Sequence, residues 1–307
     1  RVGEVVCGPG YVAASWTMGR ENDRLTAHDA KTGERRWELE VNTSVGAVLP
    51  VEDTLYVVAT TTESQQLLAL DPATGESRWG QSVDVASQPP LAYADGTLFS
   101  AAYRDIEESF TGWWNLQAFD ANSGERQWSH RVKGYQVGAR SDIERLFGIG
   151  AGGRPNLTVA DGRVYFGTGP HKLFALDATD GSELWSYRLE GGRTDTGHAP
   201  VVDDDTLYLA NLSNVTALDV ETGEKRWQYE EARISFDGYP EWYPVLVGNT
   251  LLVPEQVTWL ALDANTGEKV YRHGPYVDGL IGVAPLVVEG VMYAAFGDSV
   301  YAVGESW

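Results

Sequence analysis

One cysteine, Cys7, stands alone in 307 residues. A single thiol excludes an internal disulfide and any metal site built from several thiolates. It sits in Val5-Val6-Cys7-Gly8-Pro9-Gly10 and is expected in the turn between the first two strands, with no basic neighbour to activate it. Basic residues are scarce: 23 Lys and Arg face 44 Asp and Glu, for a net charge of -21, and only Lys31, Lys133, Lys172, Lys225 and Lys269 are lysines. No basic stripe is present to neutralise phosphates, so nucleic acid is not an expected partner. Apolar runs stay well short of the roughly 18–20 residues that span a bilayer. No charged-then-apolar leader opens the sequence: either none existed or it has been removed. Helical periodicity is absent too.

The acidity itself is spread over the whole length and forms no tail. An aromatic content of 11% sets the chain apart from disordered acidic segments. Two readings remain: a cationic partner, or a solvated surface adapted to high salt. The diffuse charge and the scarcity of lysine favour the second.

What is present is a repeat, Ala-x-Asp-x-x-x-Gly-x-x-x-Trp. Its copies are Ala27-Asp29-Gly33-Trp37, Ala69-Asp71-Gly75-Trp79, Ala118-Asp120-Gly124-Trp128, Ala175-Asp177-Gly181-Trp185, Ala217-Asp219-Gly223-Trp227 and Ala261-Asp263-Gly267-Tyr271. A seventh begins at Tyr301-Ala302-Val303 and has Gly304 where Asp is expected. The Asp-to-Asp spacings are 42, 49, 57, 42 and 44 residues. A period near forty makes each copy one supersecondary unit that must bury its apolar face on the next.

The fifth unit shows the anatomy. Ala199 to Val202, Thr206 to Ala210, Asn214 to Asp219 and Lys225 to Tyr229 are expected strands, joined by Asp203-Asp204-Asp205 and Glu221-Thr222-Gly223-Glu224 turns. Asp219 can accept from backbone N–H groups of its turn. Gly223 can take the positive φ the turn requires. Ala217 leaves room for a bulky neighbour, and Trp227 supplies the bulk with an N–H that needs an acceptor. The pattern is a structural latch between units and contains no nucleophile–base pair. One Asp per turn also falls short of the converging oxygens that calcium takes. The units fall at 1–42, 43–85, 86–133, 134–190, 191–230, 231–272 and 273–307. The expected fold is all-β: a single seven-bladed β-propeller over 1–307, with four-stranded antiparallel blades. The last blade is expected to be incomplete, with three strands or with Gly304–Trp307 opening a truncated fourth.

The six latches resemble the repeat of the pyrroloquinoline-quinone (PQQ) propeller superfamily, whose tryptophan-docking motif has this spacing. The resemblance covers nearly the whole chain and implies two branches. Quinoprotein dehydrogenases are larger, usually eight-bladed, and bind PQQ with calcium. They commonly stack two adjacent cysteines on the quinone and use a catalytic Asp. Here there is one cysteine, and no Asp matches the catalytic one by a local motif. The noncatalytic branch, typified by BamB-like outer-membrane assembly lipoproteins, agrees better in size. The acidity resembles salt-adapted, haloarchaeal-type members, where an outer-membrane machine would not exist, so the BamB role itself is not carried over.

The expected function is therefore noncatalytic: an exported, extracellular or cell-surface scaffold for a protein partner, with no catalytic residue, no metal site and no expected cofactor. The alternatives are a small quinoprotein oxidoreductase with PQQ and calcium, or a propeller that binds a small ligand or glycan. The expected binding face carries two inserted loops. Arg104 to Asn115 includes Trp113 and Trp114; Gly134 to Pro155 includes Tyr135, Arg140, Arg145 and Phe147. Later loops of that face add His198, Tyr239, Trp242 and Tyr276. Aromatics and Arg are the usual anchors of protein interfaces, although Trp113, Trp114 and Phe147 could equally pack down over the propeller channel. The run Gly148 to Gly153 lacks the Lys-Ser/Thr of a phosphate loop.

Overall fold

Short runs of β-branched and aromatic residues, cut by Asp- and Gly-rich turns, favour strands over helices. Strands are the only regular elements among the residues described by this computed structural model: 2–16, 23–41, 44–60, 65–83, 90–105, 111–135, 157–167, 172–189, 199–211, 214–232, 244–255, 259–273, 286–288, 291–296 and 299–303. The chain divides into two compact units, Arg1–Gly134 with Ala178–Ser182, and Tyr135–Asp177 with Glu183–Trp307.

Unit one holds three four-stranded antiparallel meanders. The first is β1 (Val2–Gly8), β2 (Tyr11–Trp16), β3 (Asp23–Asp29) and β4 (Arg35–Val41). The second is β5 (Ser44–Val51), β6 (Thr54–Thr60), β7 (Gln65–Leu70) and β8 (Ser77–Val83). The third is β9 (Leu91–Ala94), β10 (Thr97–Asp105), β11 (Thr111–Asp120) and β12 (Arg126–Tyr135). Its core lies between successive sheets. Leu25 and Tyr11 of the first meet Leu55 and Val57 of the second, and Val58 and Leu67 of the second meet Leu98 and Phe119 of the third.

Unit two repeats the plan. Its sheets are β13 (Leu157–Ala160), β14 (Arg163–Gly167), β15 (Lys172–Asp177) and β16 (Glu183–Arg188), then β17 (Val201–Asp203), β18 (Thr206–Ala210), β19 (Val215–Asp219) and β20 (Lys225–Tyr229). Next come β21 (Val245–Val247), β22 (Thr250–Pro254), β23 (Trp259–Asp263) and β24 (Lys269–His273). The last described sheet has three strands, β25 (Leu286–Val288), β26 (Val291–Phe296) and β27 (Ser299–Val303). Tyr165 and Leu173 pack with Leu207 and Leu218, and Tyr208 and Val215 pack with Leu251 and Leu260.

Two local expectations are corrected. Cys7 lies within β1, paired with Val12 and exposed, because Pro9-Gly10 closes the hairpin in two residues and lets the strand run to Gly8. The described residues of the insertion 104–115, 104–105 and 111–115, are strand. β10 and β11 pair as far as Asp105 and Gly112, with Arg104 opposite Trp113 and Tyr103 opposite Trp114. Aromatics on a pleated ladder have cross-strand neighbours to pack on, so the extra length goes into the hairpin itself.

The repeated residues meet across the sheets. In four units Tyr or Phe, Ala and Trp occupy neighbouring strands. Tyr56 pairs with Ala69 and Ala69 with Trp79; the same ladder joins Tyr165, Ala175 and Trp185, and Tyr208, Ala217 and Trp227. Phe99 faces Ala118 in the third sheet. The small Ala lets the two aromatic rings approach over it, with centroids 5.9–6.0 Å apart and tilted.

Each indole then reaches forward to the next Asp–Gly turn. Trp37 Nε1 donates to the Pro72 carbonyl at 3.0 Å, Trp79 to Ala121 at 3.0 Å, Trp128 to Ala178 at 2.9 Å, Trp185 to Val220 at 2.9 Å and Trp227 to Ala264 at 2.9 Å. The ring covers the glycine of that turn. A Cβ on Gly124 would lie 2.5 Å from the Trp79 ring, and one on Gly181 would lie 2.6 Å from Trp128. Glycine is thus required twice, for its positive φ and for the bare surface under the indole.

Gly124→Ala and Gly96→Ala separate these two requirements. Both sites have left-handed φ, 74° and 77°, but only Gly124 lies under a ring. In urea denaturation, Gly96→Ala should cost about 1–2 kcal/mol from backbone strain alone. Gly124→Ala should cost about 1–3 kcal/mol more from overpacking. Equal losses would mean that the Trp79 indole does not depend on the glycine surface.

Candidate functional site

Antiparallel meanders have two unlike ends. The connections between strands one and two and between strands three and four leave from one end. The connections between strands two and three, and those between sheets, leave from the other.

The first end is built of the Asp–Gly turns, and in five of them the Asp Oδ1 is held by donors of its own turn. Asp29 Oδ1 accepts from the Lys31 and Thr32 amides at 2.9 and 3.0 Å, and Oδ2 accepts from Arg36 Nη2 at 2.7 Å. Asp219 Oδ1 accepts from the Glu221 and Thr222 amides and the Thr222 hydroxyl, and Oδ2 from Arg226 at 2.8 Å. Asp71 repeats the set with Ala73, Thr74 and Arg78. Asp120 uses Asn122 and Ser123. Asp263 uses Asn265, Thr266 and Asn249. The arginine immediately before three of the tryptophans was not part of the repeat as read from sequence; its signal was the recurrence of Arg36-Trp37, Arg78-Trp79 and Arg226-Trp227.

These donors stabilise the charged carboxylate. The Arg226 guanidinium, followed by the Thr222 amide, pulls the Asp219 carboxyl from the usual 3.8 down to about 2. Arg36, then the Thr32 and Lys31 amides, hold Asp29 well below the usual range. The Ser123 amide and hydroxyl lower Asp120. A cation would have to displace these internal donors to be bound. Among the described residues, no three His, Cys, Asp or Glu side chains come together as metal ligands.

The sequence assigns the expected binding residues to the second end. Arg140, Arg145, Phe147, His198, Tyr239, Trp242 and Tyr276 lie outside the described residues. Tyr135 is the last residue of β12. Trp113 and Trp114 are adjacent on β11 and so point to opposite sides of the sheet. Trp113 is 41% exposed, whereas Trp114 is 6% exposed and belongs to the core. Of this pair, only Trp113 is exposed.

An ion pair that the sequence did not signal also lies at this end of unit two. Glu255, just after β22, is 1% exposed. It meets Arg272 Nε through Oε2 at 3.0 Å and Nη2 through Oε1 at 3.0 Å, while Nη2 also donates to the Glu231 carbonyl at 2.7 Å and to Tyr229 Oη at 3.2 Å. Arg272 thereby ties the end of the fifth sheet to the sixth. A charge this well paired has a structural role, and removal of one partner would leave the other buried and uncompensated.

Comparison with known proteins follows this geometry. The family described as "Outer membrane protein assembly factor BamB" matches residues 21–154, 116–270 and 213–304. The crystal structure of BamB from Moraxella catarrhalis superposes with a TM-score of 0.67 at 21% identity, over 95% of this chain and 81% of that one. A europium-containing methanol dehydrogenase superposes with a TM-score of 0.60 at 13% identity, over 94% of this chain and 73% of that one. At such identities the likeness is one of fold. The serine/threonine-protein kinase AfsK of Streptomyces griseus is 29% identical over 194 residues, 61% of this chain and 22% of the kinase. The quinohemoprotein alcohol dehydrogenase of Comamonas testosteroni is 30% identical over 131 residues, 38% of this chain and 17% of the enzyme. The chain thus spans about a fifth of the length of these curated relatives.

The turn carboxylates generate a pH prediction. Asp219 has a folded pKa below its unfolded one, so its contribution is complete above about pH 4 and is lost as pH falls through about 2. Asp219→Asn should be less stable than the parent at pH 7, and the gap should close between pH 4 and pH 2. A gap of constant size in urea melts across that window would mean that charge plays no part.

Proposed function

The chain belongs to the family of the outer membrane protein assembly factor BamB within the PQQ-like propellers, and from that premise we propose that it is a noncatalytic scaffold that binds another protein. The observation that carries this reading is the match of the BamB family over residues 21–304, together with the likeness in fold to BamB over 95% of the chain. In this reading the sheets are the blades of one seven-bladed propeller spanning 1–307. The protein is exported or held at the cell surface, and its acidity serves solubility in high salt.

The binding surface in this proposal is the loop-bearing end of the sheets, with the insertions 104–115 and 134–155 as its main part. Trp113 supports it: a large aromatic left exposed on a rigid strand presents contact area at low entropic cost. Tyr135, Arg140, Arg145, Phe147, His198, Tyr239, Trp242 and Tyr276 complete the proposed surface. Trp114 belongs to the core and is not part of the proposed surface.

The test is capture from membrane and extracellular fractions of the source cells at native salt, comparing the parent with Trp113→Ala/Trp242→Ala. A specific partner should be retained by the parent and lost by a double variant with unchanged thermal stability. Equal retention by both would remove this surface. Trp114→Ala serves as the contrast and should lose about 3–5 kcal/mol of stability.

A second reading draws on the quinohemoprotein and methanol dehydrogenase likenesses: a small oxidoreductase that binds PQQ and calcium. Titration of PQQ with calcium should then give a saturable quench of tryptophan fluorescence and dye-linked alcohol oxidation. A linear, nonsaturating quench without oxidation would dismiss it.

A further inference from the structure

The third sheet departs from the others at one buried pair. Ser100 of β10 stands directly opposite Gln117 of β11, so the two side chains share a face. The corresponding pair is Val57 with Leu68 in the second sheet, Phe166 with Phe174 in the fourth and Val253 with Leu260 in the sixth. It is Ala14 with Thr26 in the first and Leu209 with Thr216 in the fifth. None of these five places two polar side chains there. Ser100 is 2% exposed and Gln117 1%, and neither Ser100 Oγ nor Gln117 Oε1 has a hydrogen-bond partner. A buried oxygen without a partner is costly, and it marks either strain or a group that it binds.

Two further oxygens extend the set. Asn115 is the next residue along the same face of β11, about 7 Å from Gln117. Its Oδ1 is also buried and without a partner. That face carries Leu98 and Phe119, which pack with Val58 and Leu67 of the second sheet. Gln65 stands two residues from Leu67 on β7, so it projects from the second sheet toward the third, and its Oε1 is buried and without a partner as well. Leu67 lies between Gln65 and the turn at Asp71, as Phe119 lies between Gln117 and the turn at Asp120. Both glutamines therefore stand on the loop-bearing side of that apolar contact. The two sheets belong to one compact unit.

We propose that Ser100 Oγ, Asn115 Oδ1, Gln117 Oε1 and Gln65 Oε1 form a site for one alkali-metal cation between the second and third sheets. The occupant follows from the donor set. Three of the four are amide oxygens, which can only accept. A water molecule has two hydrogens to give and leaves part of the set unmet, whereas a cation meets every oxygen at once. Side-chain and carbonyl oxygens are the ligands that hard cations take. All four are neutral, and among the described residues no group of His, Cys, Asp or Glu is placed to hold a metal. A divalent ion would therefore bury twice the uncompensated charge of a monovalent one. The net charge of -21 favours holding a cation at all. Bound there, the ion would tie β7 to the base of the β10–β11 hairpin, two residues from Trp113 on the same face of β11. The site does not depend on whether Trp113 meets a partner.

The test follows the urea midpoint of the whole protein in choline chloride as KCl or NaCl replaces it at constant ionic strength. Choline is the blank, because its methyl groups keep oxygens away from its charge. A saturable rise of the midpoint is expected with at least one of the two salts, since an ion that binds only the folded state stabilises it. Ser100→Val/Gln117→Leu installs the pair of the second sheet, Val57 and Leu68, and should abolish the saturable rise. Ser100→Ala removes one ligand with little change of volume and should weaken the apparent affinity roughly tenfold; it carries the comparison alone if the double variant does not fold. Midpoints that coincide in choline, sodium and potassium would assign the oxygens to ordered water and overturn the proposal. A rise linear in salt would be a general ionic effect and overturn it too, and a saturable rise with equal affinity in parent and Ser100→Ala would place the ion elsewhere.

Discussion

The contact between an indole and the bare backbone of a glycine organises this chain. Each sheet is a small meander with two apolar faces and could not stand alone. The indole projects beyond its own sheet, lays its ring on the next Asp–Gly turn and satisfies its N–H on a carbonyl of that turn. One residue therefore buries apolar surface and pairs a polar group in the same act. The alanine across the ladder and the Tyr or Phe beyond it form the seat from which the indole reaches. Loss of the glycine surface, the alanine gap or the aromatic seat would compromise the same contact.

The acidic turns belong to that device. Their carboxylates could be mistaken for a series of cation sites, yet in five of the turns Oδ1 is held by amides and hydroxyls of the turn, and in three of them Oδ2 is held by an arginine. These pairs are exposed, and each contributes little on its own. Their value lies in holding a shape: the turn must present its glycine and its carbonyl in fixed positions for an incoming ring.

The division of labour between the two ends of each sheet follows. Turn-bearing ends are constrained by the repeat and vary little from copy to copy. Loop-bearing ends are free of that constraint, and the excess lengths of the third and fourth units are placed there. A scaffold that keeps one end constant can vary the other for binding, which agrees with the scaffold function proposed from family membership. The buried Glu255–Arg272 pair adds rigidity at the loop end, where packing alone would be thinnest.

Much of this was legible in the sequence because the repeat is local. Asp, Gly and Trp lie within nine residues of one another, so the turn, its glycine and the fourth strand could be read from spacing alone, as could the all-β class and the order of strands. The Tyr or Phe seats were not legible, since hairpin loops of unequal length separate Tyr56 from Ala69 and Tyr165 from Ala175 by different intervals. The sequence also could not distinguish Trp113 from Trp114, because adjacent residues of like chemistry differ only in which side of the sheet they face. Nor did it reveal Glu255 and Arg272, which meet only across the intervening strand β23. Sequence by itself determined the unit and its turns, where the interactions close within a few residues. Tertiary structure alone decided which indole covers which glycine, because those contacts join residues about forty positions apart that only sheet packing brings together.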